Sequence, residues 1–228
     1  MTESTPEQWV LAIDSARKGI ALSLFPVQGG TELRRDVPTA RGEALAMELE
    51  SLLDEAGLLL KSVTAVVVTL GPGSFTGLRT GIAFCQGLCA AGHRKLYGIS
   101  SLAFMRAQWS AAEAGSVGVL CHARPGYLYV GSDLGQWPHL EHGAKLSQEA
   151  FIGEAEGAQL LAPCVRILAD RPRPTEGPLA SLPGEWVDLT TGMSLAVLQP
   201  LLGLLTPSML WNANYLQPSY AEQATPKA

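Results

Sequence analysis

The chain has 228 residues, of which 47 % are hydrophobic and only 16 % are charged. This balance argues against intrinsic disorder, which needs low hydrophobicity and high charge. The net charge of −5 provides no electrostatic footprint for nucleic acid, and a surface short of charge suggests that a partner covers part of it.

The length allows one domain or two small ones. The targeting features indicate a cytoplasmic protein. No apolar run is long enough for a membrane span, and the polar, acidic N-terminus is unlike a secretory signal. Without a CxxC pair, the cysteines are expected to be free thiols in a reducing compartment. They are Cys85, Cys89, Cys121 and Cys164.

Hydrophobic periodicity in the first half predicts a hairpin, then helices alternating with strands. Residues 63–70 contain three consecutive valines, which favours a strand buried on both faces. Gly57 and Gly92 are predicted to end helices, and Ser100 to cap one. The predicted strands are 9–13, 20–25, 32–37, 63–70 and 95–99, and the predicted helices are 42–57, 75–91 and 101–113.

The second half is less regular, and a composition shift near 107–116 marks a candidate domain boundary. Residues 147–158 are predicted to be weakly helical, 170–185 to be a proline-rich loop and 193–205 to be helical with a break at Pro200. Two further strands, at 117–120 and 127–130, are predicted to join across Arg124-Pro125-Gly126. A strand is also expected within 161–168. The order of elements predicts an α/β layer with a mixed sheet.

The most informative segment runs from a buried strand through Gly71-Pro72-Gly73-Ser74 into a helix. Ser74 or Thr76 can cap that helix, and its N-terminal N–H groups could hold an anion. The pattern is neither a Walker A loop nor GxGxxG. A plain strand–turn–helix without an anion remains the alternative.

Small side chains recur every fourth residue along this helix, at Gly77, Gly81, Cys85 and Cys89. Glycine inside a helix costs about 1 kcal/mol relative to alanine, so a compensating close approach is expected. The approach can come from within the chain or from a helix of another protein. Zinc ligation by the two cysteines is a weak third reading, since no second ligand pair is present.

Several strings in the chain resemble the bacterial TsaB family, also called YeaZ. They are LGPGSFTGLRTGIAFCQGL, LYGISSLAFM, the opening LAIDSARKGIALSLF, HARPGYLYVG and the closing NYLQP. The resemblance is strong over about residues 9–130 and thin between 131 and 205.

The resemblance implies an α/β protein with the actin-like ATPase fold of sugar kinases, Hsp70 and actin, with two subdomains of mixed sheets flanked by helices. The first, 1–106, would carry the partner-binding helices, and 107–205 would be the smaller second one. Residues 206–228 would return to the first subdomain and end in a frayed tail.

The implied function is a non-catalytic role in making N6-threonylcarbamoyladenosine at position 37 of tRNAs that read codons beginning with A. The expected partners are TsaD, the catalytic paralogue, and TsaE, an ATPase, with tRNA reached through the complex. A homodimer is a further possibility. ATP and metal are expected on the partner subunits, and no cofactor or metal on this one.

The first loop supports a pseudo-enzyme. In the implied superfamily this loop reads Asp-x-Gly-(Ser/Thr), whereas here it reads Asp14-Ser15-Ala16-Arg17. Two candidate vestigial phosphate loops follow from this. One contains Asp14 and Ser15, and the other is the glycine-rich turn with Gly71, Gly73, Ser74 and Thr76. The paired helix histidines that bind metal in the catalytic paralogue have no counterpart among the four histidines, His93, His122, His139 and His142.

Some positions depart from the family's pattern: His122, Pro125 and Tyr127 replace Asp, Arg and Glu, and Gln217 replaces Arg. Arg79 matches the family arginine and could cap the helix, pair with a partner carboxylate or anchor the turn. With the four stripe residues, it forms the candidate partner interface. The alternatives are an active enzyme of the same fold, either a small-molecule kinase or a peptidase, and a plain homodimeric scaffold.

Overall fold

A computed structural model describes residues 8–17, 19–109, 116–132, 148–189, 194–203 and 205–216. The described chain divides into two compact units. The first comprises the residues up to Ile99 together with Ser194–Ala213, and the second begins at Ser100. The expected first subdomain, 1–106, thus extends further than the first unit that the contacts define, and helix Ser101–Ala107 belongs to the second unit.

The first unit is built on a five-stranded mixed sheet of order β3-β2-β1-β4-β5. β1 pairs antiparallel with β2 and parallel with β4, because the first connection is a hairpin and the later ones cross over through helices. The strands are β1 (Trp9–Asp14), β2 (Ile20–Pro26), β3 (Leu33–Val37), β4 (Val63–Thr69) and β5 (Lys95–Ile99).

Two helices, α1 (Leu45–Ala56) and α2 (Phe75–Gly92), pack against the sheet through their apolar faces. The predicted helix 42–57 is confirmed, with a 3-10 turn at Gly42–Ala44 before α1 and Gly57 in the left-handed conformation at its end. α2 ends with Gly92 as its last residue, one residue later than predicted. His93 adopts the left-handed conformation, with φ of 52°.

The segment that returns to the first unit is 194–213, which begins before the predicted 206–228 and ends at Ala213. A 3-10 helix, Leu195–Leu201, contacts β1 and β2, and Glu32 accepts hydrogen bonds from the backbone N–H groups of Leu195 and Ala196. Trp211 donates its indole N–H to the carbonyl of Leu96. The last twelve residues, on which the predicted frayed tail and Gln217 fall, lie outside the described residues.

The second unit has its own five-stranded sheet, of order β10-β9-β6-β7-β8. The interval 147–158 was predicted helical throughout, and that is wrong for its first part, which pairs antiparallel with β7. Helix α3 begins after Ser100, whose hydroxyl accepts from Ala103 N–H as predicted. The elements are α3 (Ser101–Ala107), β6 (Val117–Arg124), β7 (Tyr127–Ser132), β8 (Gln148–Gly153), α4 (Glu154–Leu161), β9 (Arg166–Ala169) and β10 (Glu185–Asp188).

Helix lengths bear on membrane insertion. Within the described ranges, no helix combines the length and the apolar character that crossing a membrane requires.

Candidate functional site: the Asp14 loop and helix α2

The predicted phosphate loops meet in the first unit, where the β1–β2 loop lies against the start of α2. Ala16 accepts a backbone hydrogen bond from Ser74 at 2.6 Å. Ser15 donates its hydroxyl to the carbonyl of Gly77 at 2.9 Å. These contacts join segments more than fifty residues apart in sequence, so the two loops form one structure.

Glycine is required where the loops touch. A Cβ at Gly73 would lie 2.1 Å from the carbonyl oxygen of Ala16, and one at Gly77 would lie 2.1 Å from that of Ser15. At Gly81 it would meet the Ser15 hydroxyl at 2.0 Å. The glycines of α2 therefore give the β1–β2 loop room to approach the helix axis closely.

The small stripe of α2 faces inward, which corrects its interpretation as a partner surface. Cys85 and Cys89 are buried in the core cluster beneath α2, and Gly81 is buried under Ser15. The compensating close approach comes from the chain's own loop and sheet. The stripe therefore cannot be the surface that meets another protein.

The carboxylate of Asp14 is buried, at 4 % exposure, and both of its oxygens accept hydrogen bonds from its own chain. One oxygen accepts from Ala16 N–H at 3.0 Å and from the Thr69 hydroxyl at 2.8 Å. The other accepts from the Arg17 guanidinium at 2.8 Å. A buried carboxylate needs such partners, since an unpaired one would carry a large desolvation cost.

Sequence reasoning missed Thr69 and Arg17 as partners of Asp14. Ile13 pairs with Val68 in parallel register, so Asp14 and Thr69 follow as neighbours where both strands end. Polar residues at the ends of adjacent parallel strands are expected to lie close together. This could have identified Thr69 as a partner of Asp14, but only if β1 and β4 had been known to be neighbours. Arg17 is a local partner, three residues along the loop.

The start of α2 is capped from within. Ser74 is the N-cap and its hydroxyl accepts from Gly77 N–H at 3.2 Å, whereas the Thr76 carbonyl accepts from Thr80. Gly71 has φ of 101°, a left-handed conformation that favours glycine. Of the N–H groups expected to hold an anion, those of Ser74 and Gly77 already have partners.

The outward face of α2 was not singled out by the sequence. Ala83, Gly87 and Ala90 are exposed there, and a Cβ on Gly87 would meet nothing within 4 Å. At the N-terminal end of this face, Arg79 lies over the ring of Phe75 with its guanidinium carbon 4.0 Å from the ring centroid. This stacking is a contact between two residues of α2 itself.

Burial also defines the chemistry of the cysteines. Desolvation raises the pKa of Cys89 to about 11 and that of Cys85 well above its usual range. All four cysteines are buried free thiols. Within the described residues, no group of three or more His, Cys, Asp or Glu side chains is placed to hold a metal ion.

The two glycines at 77 and 87 form a matched pair on one helix. We expect Gly77→Ala to lower the free energy of unfolding by about 1–3 kcal/mol, because the methyl group would overlap the Ser15 carbonyl. Gly87→Ala should raise it by about 0.5–1 kcal/mol through helix propensity alone. Urea unfolding of both variants measures the difference. Equal effects would contradict the inward packing of the stripe.

The thiols should be unreactive in the native protein. With Ellman's reagent at about pH 8, we expect no rapid labelling of the folded chain and four thiols after denaturation, since the thiolate is the reactive form. The same shifts make stability fall as the pH rises above about 8.5, where the unfolded chain releases thiol protons that the native chain keeps. Rapid native labelling at Cys85 or Cys89 would mean that the stripe is accessible.

Comparisons with known proteins place these features in a family. The family model described as TsaD, tRNA N6-adenosine threonylcarbamoyltransferase, matches residues 39–169. The tRNA threonylcarbamoyladenosine biosynthesis protein TsaB of Escherichia coli K12 is 28 % identical over 187 residues, which are 80 % of this chain and 71 % of that protein. The protein of the same name from Haemophilus influenzae is 26 % identical, over 64 % of this chain and 67 % of its own.

Solved structures agree. YeaZ from Pseudomonas aeruginosa is 27 % identical with a TM-score of 0.52, over 64 % of this chain and 68 % of that one. A protein described as similar to peptidase YEAZ from Pseudomonas aeruginosa is 27 % identical with a TM-score of 0.53, over 65 % of this chain and 68 % of that one. The implied actin-like fold is thereby confirmed. The chain belongs to the family of the matched model and, within it, to the TsaB (YeaZ) proteins.

Proposed function

We propose that this chain takes part in forming N6-threonylcarbamoyladenosine in tRNA, as a non-catalytic subunit that supports a TsaD-type transferase. The relatives named for this biosynthesis support the pathway. The observation that carries the non-catalytic role is the engagement of Asp14, whose two oxygens are occupied by groups of its own chain.

An ATP-using loop of this fold needs an aspartate that organises the metal and its water, and a glycine that lets phosphate approach the backbone. Here Arg17 supplies the positive charge beside Asp14. Ala16 stands where the glycine would be, and its carbonyl already accepts from Ser74 N–H. Both features support a loop that stabilises the first unit and leaves nucleotide chemistry to a partner.

The partner would dock on the outward face of α2. Ala83, Gly87 and Ala90 give this face small side chains that permit close helix packing, and Arg79 adds a cation at one end. Met47 on α1 is 60 % exposed and Phe75 is 48 % exposed, so apolar area is available on both helices. A TsaD helix pair covering these residues would also account for a surface with few charges.

The rest of the assembly follows from the same proposal. TsaE would join the pair, ATP and metal would sit on those partners, and tRNA would be bound by the complex. A homodimer would use the same α2 face in the absence of the paralogue.

Nucleotide binding tests the non-catalytic role. We expect isothermal titration calorimetry of the full chain with Mg-ATP to detect no binding at concentrations on the order of 1 mM, because Arg17 and Ala16 occupy the loop. Phosphate release should stay at the buffer level. Micromolar affinity with turnover would favour a small-molecule kinase instead.

Docking is tested by a matched pair of substitutions. Ala83→Arg places a long cation on the α2 face and should abolish co-purification with TsaD, whereas Ala155→Arg does the same on α4 and should leave it intact. Both alanines are exposed, so both variants should fold with wild-type circular dichroism. Retained TsaD binding by Ala83→Arg would contradict the proposed face.

A further inference from the structure

A second cluster, which the proposed docking face does not use, lies at the tip of the β6–β7 hairpin. The rings of Tyr127 and Phe151 stack with centroids 5.1 Å apart and an interplanar angle of 9°. The Arg124 guanidinium carbon lies 4.4 Å from the Tyr127 centroid and 5.4 Å from that of Phe151. These three residues are called the hairpin platform below.

Sheet packing explains only part of the platform. Tyr129 and Phe151 are direct cross-strand partners, and such aromatic pairs stabilise antiparallel sheets. Tyr127, by contrast, is 39 % exposed. Its side chain therefore remains open to solvent beside Arg124 and Phe151.

Arg124 is the unusual member. Its Nε is buried with no hydrogen-bond partner, and in the described part of the chain the guanidinium makes no ion pair. A buried donor without a partner is uncommon in native proteins, and a water molecule or a ligand can supply the missing acceptor.

The local charge favours an anionic, planar ligand. Relative to the resembled family stretch, this hairpin lacks two acidic residues, at His122 and Tyr127, and one arginine, at Pro125, so it is more positive by one charge. A guanidinium offers several donors to phosphate or to the edge of a base, and aromatic rings stack on bases of any sequence. Unpaired bases of RNA are bound by this combination of stacking and cationic side chains.

We propose that the hairpin platform binds an unpaired nucleotide of the tRNA substrate, an inference that rests on the proposed function. The base stacks on Tyr127, and its phosphate or polar edge accepts hydrogen bonds from Arg124. The platform thus contributes to tRNA affinity and takes no part in the chemical step.

The test uses the reconstituted complex with TsaD and an unmodified tRNA transcript. We expect Tyr127→Ala and Arg124→Ala each to raise the KM for tRNA at least about fivefold with kcat unchanged. Tyr127→Phe should stay near wild type because it keeps the ring. Arg124→Lys should be intermediate, because it keeps the charge but loses the planar fork. Lys61→Ala, which removes an exposed charge in the first unit, is the control.

Ultraviolet crosslinking of the transcript to the full chain is the second readout, with adducts expected at Tyr127 or Phe151. Thermal melting identifies any variant that fails to fold. If an alanine variant fails, the KM values of Tyr127→Phe and Arg124→Lys decide whether the platform contributes to tRNA affinity. A KM equal to that of Lys61→Ala, with no adduct at the platform, overturns the proposal. If the platform variants bind TsaD more weakly while their KM for tRNA is unchanged, the proposal is also overturned. Arg124 is then assigned to a carboxylate of the protein partner. An inactive wild-type complex refutes the proposed function. Crosslinking alone then decides whether the hairpin platform binds tRNA.

Discussion

The close approach of the β1–β2 loop to helix α2 is the constraint on which the first unit depends. The Ser15 hydroxyl and the Ala16 carbonyl bond directly to the start of α2, and any side chain at Gly73 or Gly77 would occupy the same space. The glycines weaken the helix locally, but they allow the hairpin and the helix to satisfy one another's polar groups. The β1–β2 loop and the start of α2 fill the space between them.

This packing separates the two faces of α2 by role. The inward face holds the loop and the core, and its buried thiols have raised pKa values that keep them protonated at neutral pH. The outward face keeps small residues in contact with solvent. A helix with small residues on both sides can approach its own chain and a partner closely, and each approach requires a different set of positions.

The second unit shows a different use of polar groups. In the Asp14 loop every oxygen of the buried carboxylate has a donor within the chain. At the hairpin platform the Arg124 Nε has none. Buried polar groups are ordinarily paired, so the paired carboxylate fits a structural role, and the unpaired Nε beside an exposed aromatic stack is the observation behind the proposed ligand site.

Local patterns in the sequence determined most of the strands and helices. The alternation around the first turn, the valine run of β4 and the Ser100 cap depend on neighbours a few residues away, and they were predicted correctly. The segment 148–153 was not, because its pairing with β7 comes from a distant strand and outweighs a weak helical pattern.

The sequence by itself also determined that Gly77, Gly81, Cys85 and Cys89 share one side of α2, since helical periodicity decides it. Only the tertiary structure decided that this side faces Ser15 and the core. A small side chain permits close approach without specifying what approaches. The same holds for Asp14, whose partner Thr69 became apparent only when β1 and β4 were placed side by side.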